Sequence, residues 1–402
     1  MFDQIECFLI ESRKGRSVLL SRSNNFRPGR SRFIVTLALW LLLQHIVRVR
    51  AADNHADYRF ENYREDNGRI AVETHSVLFG IRPIEALQVR GELVYDGISG
   101  ATPTGRPPLK GSSQVPVAPM TDIRRAGTLG LDWTWHGQTF SPEISHSEEN
   151  DYESLGLAFN EAIDFNQKNT TIRFGLSHDF DRIETRGLAS PKHKGSTDGI
   201  FGVSQLLSPT LILTADATYG SSWGYLNDPY KSFRFDGWTD FFPLILSPEK
   251  RPSHRTREVL LVTLTHYIDK VNASIEGSYR FHHDTFGVFS HTAAITWHQK
   301  LGKVFIMEPG FRYYKQTAAD FYHVRLPGFD TDPGTPKFYS ADYRLSELQS
   351  LTFGLQACFQ ISEHFYFDAG YQRYIMEGLD KVTAGSAYPK ANIFTVGARI
   401  WF

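Results

Sequence analysis

Residues 271–282 alternate without interruption. Val271, Ala273, Ile275, Gly277, Tyr279 and Phe281 fall on one side, and Asn272, Ser274, Glu276, Ser278, Arg280 and His282 on the other. A period of two predicts a β-strand with one apolar and one polar face. The pattern recurs along the chain. Residues 87–96 set Leu87, Val89, Gly91, Leu93 and Tyr95 against Gln88, Arg90, Glu92 and Asp96. Residues 210–223 set Leu211, Leu213, Ala215, Ala217 and Tyr219 against Thr210, Thr214, Asp216 and Thr218. Residues 391–402 set Phe394, Val396, Ala398, Ile400 and Phe402 against Thr395, Gly397 and Arg399.

Between 58 and 402 the pattern predicts about sixteen strands. Tight turn signals join many of them: Asp66-Asn67-Gly68, His136-Gly137-Gln138, Asn166-Gln167-Lys168 and Ser208-Pro209. Asn-Gly favours a hairpin because both central positions tolerate positive φ. Longer connections run over 97–121, 181–195, 224–254, 316–343 and 378–390. The first holds Pro103, Pro107, Pro108, Pro116 and Pro119, which argues against helix and paired strand throughout it. Numbered from the first strand, every long connection follows an odd strand, and every connection after an even strand is short. A soluble sandwich has no reason to sort loop lengths by parity. A single-chain outer-membrane barrel does, because its short turns face the periplasm and its longer loops face outside. Trp133, Trp135, Trp297, Phe365 and Phe367 all fall near the expected periplasmic ends, where an aromatic girdle belongs.

Composition supports the same class. Of 402 residues, 41% are hydrophobic and 14% aromatic, and Gly occurs 32 times. The long apolar run, 33–43, follows Arg27, Arg30 and Arg32 and precedes small residues at Ala51 and Ala52. That layout is expected of a secretory signal peptide cut near Ala51. The run is shorter than the roughly 20 residues a membrane helix needs. The chain is therefore expected to divide into a leader, 1–51, and one barrel domain, 52–402. The leader holds nine of the 43 basic and three of the 44 acidic residues, which leaves 34 and 41 and a net charge of −7. A mildly acidic exported chain is not expected to bind nucleic acid. Cys7 belongs to the leader, so Cys358 stands without a disulfide partner.

Several stretches carry a family resemblance: Asp96-Gly-Ile-Ser-Gly-Ala-Thr-Pro-Thr-Gly105, Asp122-Ile-Arg-Arg-Ala-Gly127, Ser147-Glu-Glu-Asn-Asp-Tyr152 and Ile163-Asp-Phe-Asn-Gln-Lys-Asn-Thr-Thr171. Further on come Gly224-Tyr-Leu-Asn-Asp-Pro-Tyr-Lys231, Arg251-Pro-Ser-His-Arg-Thr-Arg257, Arg312-Tyr-Tyr-Lys-Gln-Thr-Ala-Ala-Asp-Phe-Tyr322 and Ser340-Ala-Asp-Tyr-Arg-Leu345. Together they resemble a bacterial family of outer-membrane barrels known only as a domain of unknown function. The resemblance implies location and fold and brings no substrate or activity.

Candidate chemistry is sparse. The acidic tip Glu148-Glu149-Asn150-Asp151 offers oxygen ligands, but not in the spacing of a calcium loop. Of His282-His283-Asp284, only His282 and Asp284 can share a face, so a turn is the simpler role. No nucleophile elbow, phosphate loop or zinc-protease helix is present in the sequence. No enzymatic activity, cofactor or metal is expected. The polar face carries charges expected to line a lumen: Arg90, Glu92, Asp96, Arg173, Asp216, Glu276, Arg280, Glu308, Arg312, Asp368 and Arg399. Opposite charges recur within one strand, as Arg90 with Glu92, Glu276 with Arg280, and Glu308 with Arg312. Such charges either neutralise one another or form a constriction that selects solutes. The ending on Phe402 resembles the signal by which outer-membrane barrels are recognised for assembly.

The expectation is an all-β protein: a transmembrane antiparallel up-and-down β-barrel in the bacterial outer membrane, with short periplasmic turns and long extracellular loops. Its expected partners are membrane lipid, the barrel assembly machinery and a small solute whose identity the sequence does not give. At about sixteen strands a barrel leaves an aqueous lumen. A channel or transport barrel is the leading function. A docking barrel plugged by its own loops is the second, and an outer-membrane enzyme the third.

Overall fold

The computed structural model describes residues 54–185, 188–237 and 245–402. The apolar run 33–43, the proposed cut near Ala51 and Cys7 lie outside the described residues. The strands in chain order are β1 (His55–Glu65), β2 (Ala71–Ile84), β3 (Leu87–Pro103), β4 (Val117–Trp135), β5 (Gln138–Glu148), β6 (Tyr152–Phe165) and β7 (Thr170–Ile183). Next come β8 (Lys192–Ser208), β9 (Leu211–Gly224), β10 (Ser232–Asp236), β11 (Ile245–Pro248), β12 (His254–Ile268), β13 (Ala273–Asp284) and β14 (Phe289–Leu301). The last are β15 (Phe305–Gln316), β16 (Leu326–Pro327), β17 (Leu348–Ser362), β18 (Phe365–Gly378) and β19 (Lys390–Trp401). Sixteen of them form one closed antiparallel barrel, while β10, β11 and β16 make a small separate sheet within the loops. The ring closes where β1 pairs with β19, from His55↔Trp401 to Glu65↔Ala391.

Closure follows from local chemistry. Several hairpins turn on residues that accept positive φ, as at Asn67 (62°) and Gly68 (65°), and at His136 (49°) and Gly137 (78°). Alternation then sorts the faces. On β3, Leu93 and Tyr95 are 62% and 42% exposed, while their neighbours Val94 and Asp96 are 9% and 6%. Large apolar side chains exposed all round a closed barrel face lipid, because water around them would leave a continuous apolar belt unburied. The protein is an outer-membrane β-barrel. Aromatic rings crowd both ends of the belt. At the end holding both barrel termini, Trp133 contacts Phe140, and Phe305 and Phe367 both flank Phe359. At the opposite end lie Phe180, Trp223 and Phe289. All the long connections emerge at that opposite end.

The structure moves several boundaries. Strands β3 and β4 run on through the proline-rich stretch, pairing to Pro103↔Val117 with Pro119 opposite Ala101. The reason is the neighbour on the other side. Pairing of β4 with β5 begins at Arg125↔Glu148, so residues 117–124 form an open edge there. A proline at an open edge forfeits no ladder hydrogen bond. Strand β13 begins at Ala273 rather than at 271, because residues 269–271 form a 3₁₀ turn followed by Asn272 at φ 50°. Strand β14 likewise starts at Phe289, since Asp284 Oδ1 accepts from Phe286 and Val288 N–H and folds 285–288 into a turn.

Candidate functional site: a charged lumen beneath a loop lid

Inside the barrel, charges meet across glycines. Arg173 on β7 and Asp216 on β9 stand either side of Gly202 on β8, and their side chains pair at 2.7 Å over it. The same arrangement sets Asp198 and Arg257 across Gly220, at 2.5 Å. Arg90 and Glu143 face each other across Gly130, at 3.6 Å. Asp368 and Arg59 do so across Gly397, at 3.9 Å. A methyl group at Gly202, Gly220 or Gly397 would overlap the carboxylate beside it. The glycine is the gap through which one charge reaches the next strand but one.

The predicted charges all stand on the face opposite the exposed apolar side chains. Their pairing differs from the same-strand pattern read from the sequence. Arg90 pairs with Asp132 on β4, at 2.6 Å, as well as with Glu143. Asp96 pairs with Arg124 at 3.1 Å and accepts from Thr74 at 2.6 Å. Arg399 pairs with Asp57 across the closing seam, at 2.6 Å. Glu308 meets His298 at 2.9 Å, and Glu276 accepts from Thr265 at 3.2 Å. Glu92 and Arg280 have no ion pair among the described residues. Distance favours the directly facing pairs, Asp96 with Arg124 and Arg399 with Asp57: facing strands lie about 4.8 Å apart, against about 6.6 Å for residues two apart on one strand. The longer reach across a glycine is open because no side chain fills the gap. Cys358 also faces inward and is buried.

Above this wall the long loops fold into one lid. Phe233 and Phe235 on β10 pack with Tyr339 and Ala341 from the β15–β17 loop, and all four are buried. Phe286, Val288, Ala319, Phe321 and Leu345 form a second apolar cluster. Between the β9–β12 and β15–β17 loops lies a set of buried charges. Arg344 pairs with Asp228 at 2.6 Å and also with Asp342. Arg251 pairs with Asp342 at 2.9 Å and with Glu249 at 2.7 Å. Ser340 Oγ donates to Glu249 at 2.6 Å, and Asp228 N–H donates to it as well. Glu249 and Asp342 are 1% and 0% exposed. Burial, against the attraction of Arg251, raises the Glu249 carboxyl above its ordinary range, and Asp228 and Asp342 add to the rise.

Other loops lock onto this body. Lys231 Nζ donates to Pro103 O at the tip of β3. Tyr388 Oη bonds Ser346 Oγ at 2.7 Å, and Tyr322 Oη bonds Thr383 Oγ1 at 2.5 Å. Arg69, in the β1–β2 turn, donates to Ser386 and Ala387 carbonyls. The lid covers the wall beneath it. Inward residues near the loop end are buried around the ring: Ile98, Ile183, Ser222, Ser290, Leu348 and Ile393. Farther down, the Arg90 and Arg173 side chains keep 35–38% of their exposure. The lumen therefore has a sealed outer end and a wetter charged interior.

The acidic tip acquires a member that its own sequence does not show. Asp122, from β4, comes within 4.8 Å of Glu149 and Asp151, counting one oxygen from each. Asp122 Oδ1 accepts from Asn150 Nδ2 at 2.6 Å, which ties the tip to the rim. His282 Nε2 lies 3.3 Å from Asp284 Oδ2, and Asp284 serves Arg255 and its own turn. Phe402 is 52% exposed, and its N–H donates to Asn54 O at 3.0 Å.

A family described as "Protein of unknown function (DUF3570)" matches residues 36–193 and 186–388. No curated protein matches the sequence. Among solved structures, the siderophore receptor PirA from Pseudomonas aeruginosa aligns over 88% of this chain at 15% identity and TM-score 0.43. The chain spans 61% of that receptor's length. A bacterial polysaccharide outer membrane secretin aligns over 88% of this chain and 100% of its own, at 10% identity and TM-score 0.49. CdiB from Acinetobacter baumannii aligns over 88% of this chain and 60% of its own, at 10% identity and TM-score 0.48.

Proposed function

We propose that this chain, which belongs to the DUF3570 family of proteins of unknown function, is a gated transport barrel that passes small solutes across the outer membrane. One observation carries the reading: a solvated, charge-lined lumen lies under a lid held by buried ion pairs between two of its own loops. Sixteen strands leave room for water and solute inside. Charges on the wall, with Arg90, Arg173, Asp216 and Arg399 among them, give the lumen its selectivity. Buried ion pairs suit a gate. Their net contribution is modest, because opening returns both charges to water, so closure and opening lie close in energy. The reading assigns no catalytic residue.

A docking barrel permanently plugged by its loops is the second reading, favoured by the lid's packed apolar cores. Planar-bilayer recording separates the two. Wild-type protein is expected to conduct in rare openings, and Arg344→Ala, which removes the guanidinium shared by Asp228 and Asp342, is expected to open far more often. If Arg344→Ala remained folded and as silent as an empty bilayer, transport would be excluded and the docking reading would stand.

A further inference from the structure

Charge on the lumen wall is out of balance. On the inner face, about three to six residues in from the periplasmic strand ends, stand Arg59 on β1, Arg90 on β3 and Arg173 on β7. Each already has an acid: Asp368 at 3.9 Å, Asp132 at 2.6 Å and Asp216 at 2.7 Å. The same zone carries Glu61 on β1, Glu92 on β3, Glu143 on β5, Glu276 on β13 and Glu308 on β15. No further arginine or lysine among the described residues faces inward in this zone to match them.

The sum does not depend on how the groups pair. An ion pair brings two charges together and removes neither from the wall. The rim below adds Asp57 and Asp164 with Arg82, Lys300 and Arg399. The next rung toward the lid adds Asp96 and Asp179 with Arg280 and Arg312. With both included, acids remain in excess.

The surplus acids are all glutamates, and they stand on separate strands spread round the ring. Among the described residues, the set of three carboxylates that does meet, Asp122, Glu149 and Asp151, lies at the outer rim instead. The glutamates therefore act as a field over the lumen and not as one chelating group. Water reaches them. Arg59 keeps 41% and Glu143 31% of their side-chain exposure. Acidic groups facing a solvated cavity with low-dielectric walls focus a negative potential into it. Acidic rings select cations in channels by the same physics.

We propose that the lumen prefers cations, and that the solute this barrel passes is small and positively charged. The inference rests on the transport reading and adds the charge of the solute to it.

Two probes test it, and one of them needs no conducting pore. In a planar bilayer, wild-type and Arg344→Ala barrels under a potassium chloride gradient report ion preference as a reversal potential. Potassium is expected to be favoured over chloride about tenfold in dilute salt. The preference is expected to fade in about 1 M salt, where a charge acts over only about 3 Å. Glu61, Glu92 and Glu276 make no ion pair among the described residues, so Glu61→Gln, Glu92→Gln and Glu276→Gln together are expected to fold and to cut the ratio several-fold. Glu73→Gln, at an exposed pair with Arg64 outside the barrel, is expected to leave it unchanged. The second probe is spermidine, whose spaced charges suit separated carboxylates. In detergent micelles spermidine is expected to raise the unfolding midpoint of the folded protein above that in sodium chloride at matched ionic strength, and the triple variant to lose most of the rise. A reversal potential at zero or on the chloride side overturns the inference and leaves transport standing. If the bilayer is silent, transport falls and spermidine decides. A rise carried by the glutamates keeps the cation-preferring lumen, and no rise, or one that the triple variant keeps in full, removes it as well.

Discussion

Gly202 is a residue whose lack of a side chain is its contribution. It holds open the space in which Arg173 and Asp216 meet from two strands away. Gly202→Ala forces a methyl group onto Asp216 Oδ1. Overpacking of this kind costs about 1–3 kcal/mol, and the ion pair must also separate. Gly199 lies three residues earlier on the same strand, and a methyl there comes no nearer than 4.0 Å to Tyr219 O. Gly199→Ala is expected to change stability by about 0.5 kcal/mol or less. Unfolding midpoints in urea, read by the heat-dependent shift on gels, compare the two. Equal midpoints would show that the glycine gap is incidental. The glycines themselves are plain in the sequence, but their use is not. Arg173, Gly202 and Asp216 lie on three strands, and only the register between strands brings them level.

At the scale of elements, alternation and turn chemistry made the strands readable, because each depends on residues close in sequence. Tyr279, Arg280 and Phe281 point the way their order says they must. Loop sorting by parity was readable for the same reason. The lid was not. Phe235 on β10 pairs with Leu326 on β16, and Glu249 bonds Ser340, contacts that no local period encodes. Asp122 joining the tip at Asn150 is another contact across a long separation. Strand β19 is the extreme case, since its partner β1 lies at the other end of the barrel sequence. Joining the most distant segments carries the largest loop-closure cost, so this seam is expected to limit assembly. Phe402→Ala tests the seam. The ring is already half exposed, so its loss removes at most about 1.5–3 kcal/mol from the folded barrel. The expected result is a sharp fall in assembled protein with near-normal stability in what does assemble. Leu213→Ala, within β9, is expected to assemble at wild-type levels. Outer-membrane fractionation with heat-modifiability gels reads both, and wild-type yield for Phe402→Ala would show that the seam does not limit assembly.

For the whole molecule, the question is what opens the lid, and its buried carboxyls give an answer. Three carboxylates, Asp228, Glu249 and Asp342, face two guanidinium groups, Arg251 and Arg344, in a space that excludes water. Burial raises the Glu249 carboxyl above its ordinary range, against the attraction of Arg251, and Asp228 and Asp342 add to the rise. The sign of the pH effect follows from linkage. A group that binds its proton more tightly in the closed lid than in the open one stabilises closure fully below its ordinary pKa. That contribution is lost as the pH rises through the raised value. The lid should therefore be tightest in acid and loosen toward neutrality. In planar bilayers, open probability is expected to fall as the pH on the loop side is lowered from about 7.5 to about 5, because the buried Glu249 carboxyl takes up its proton in the closed lid. Glu249→Gln fixes that position as neutral and should flatten the response. Asp330, paired with the half-exposed Lys250 at 3.8 Å and itself 37% exposed, is the comparison: Asp330→Asn should keep the wild-type pH profile. A wild-type pore equally open at both pH values, or a Glu249→Gln pore with the full wild-type slope, would mean that the buried Glu249 carboxyl does not set the gate.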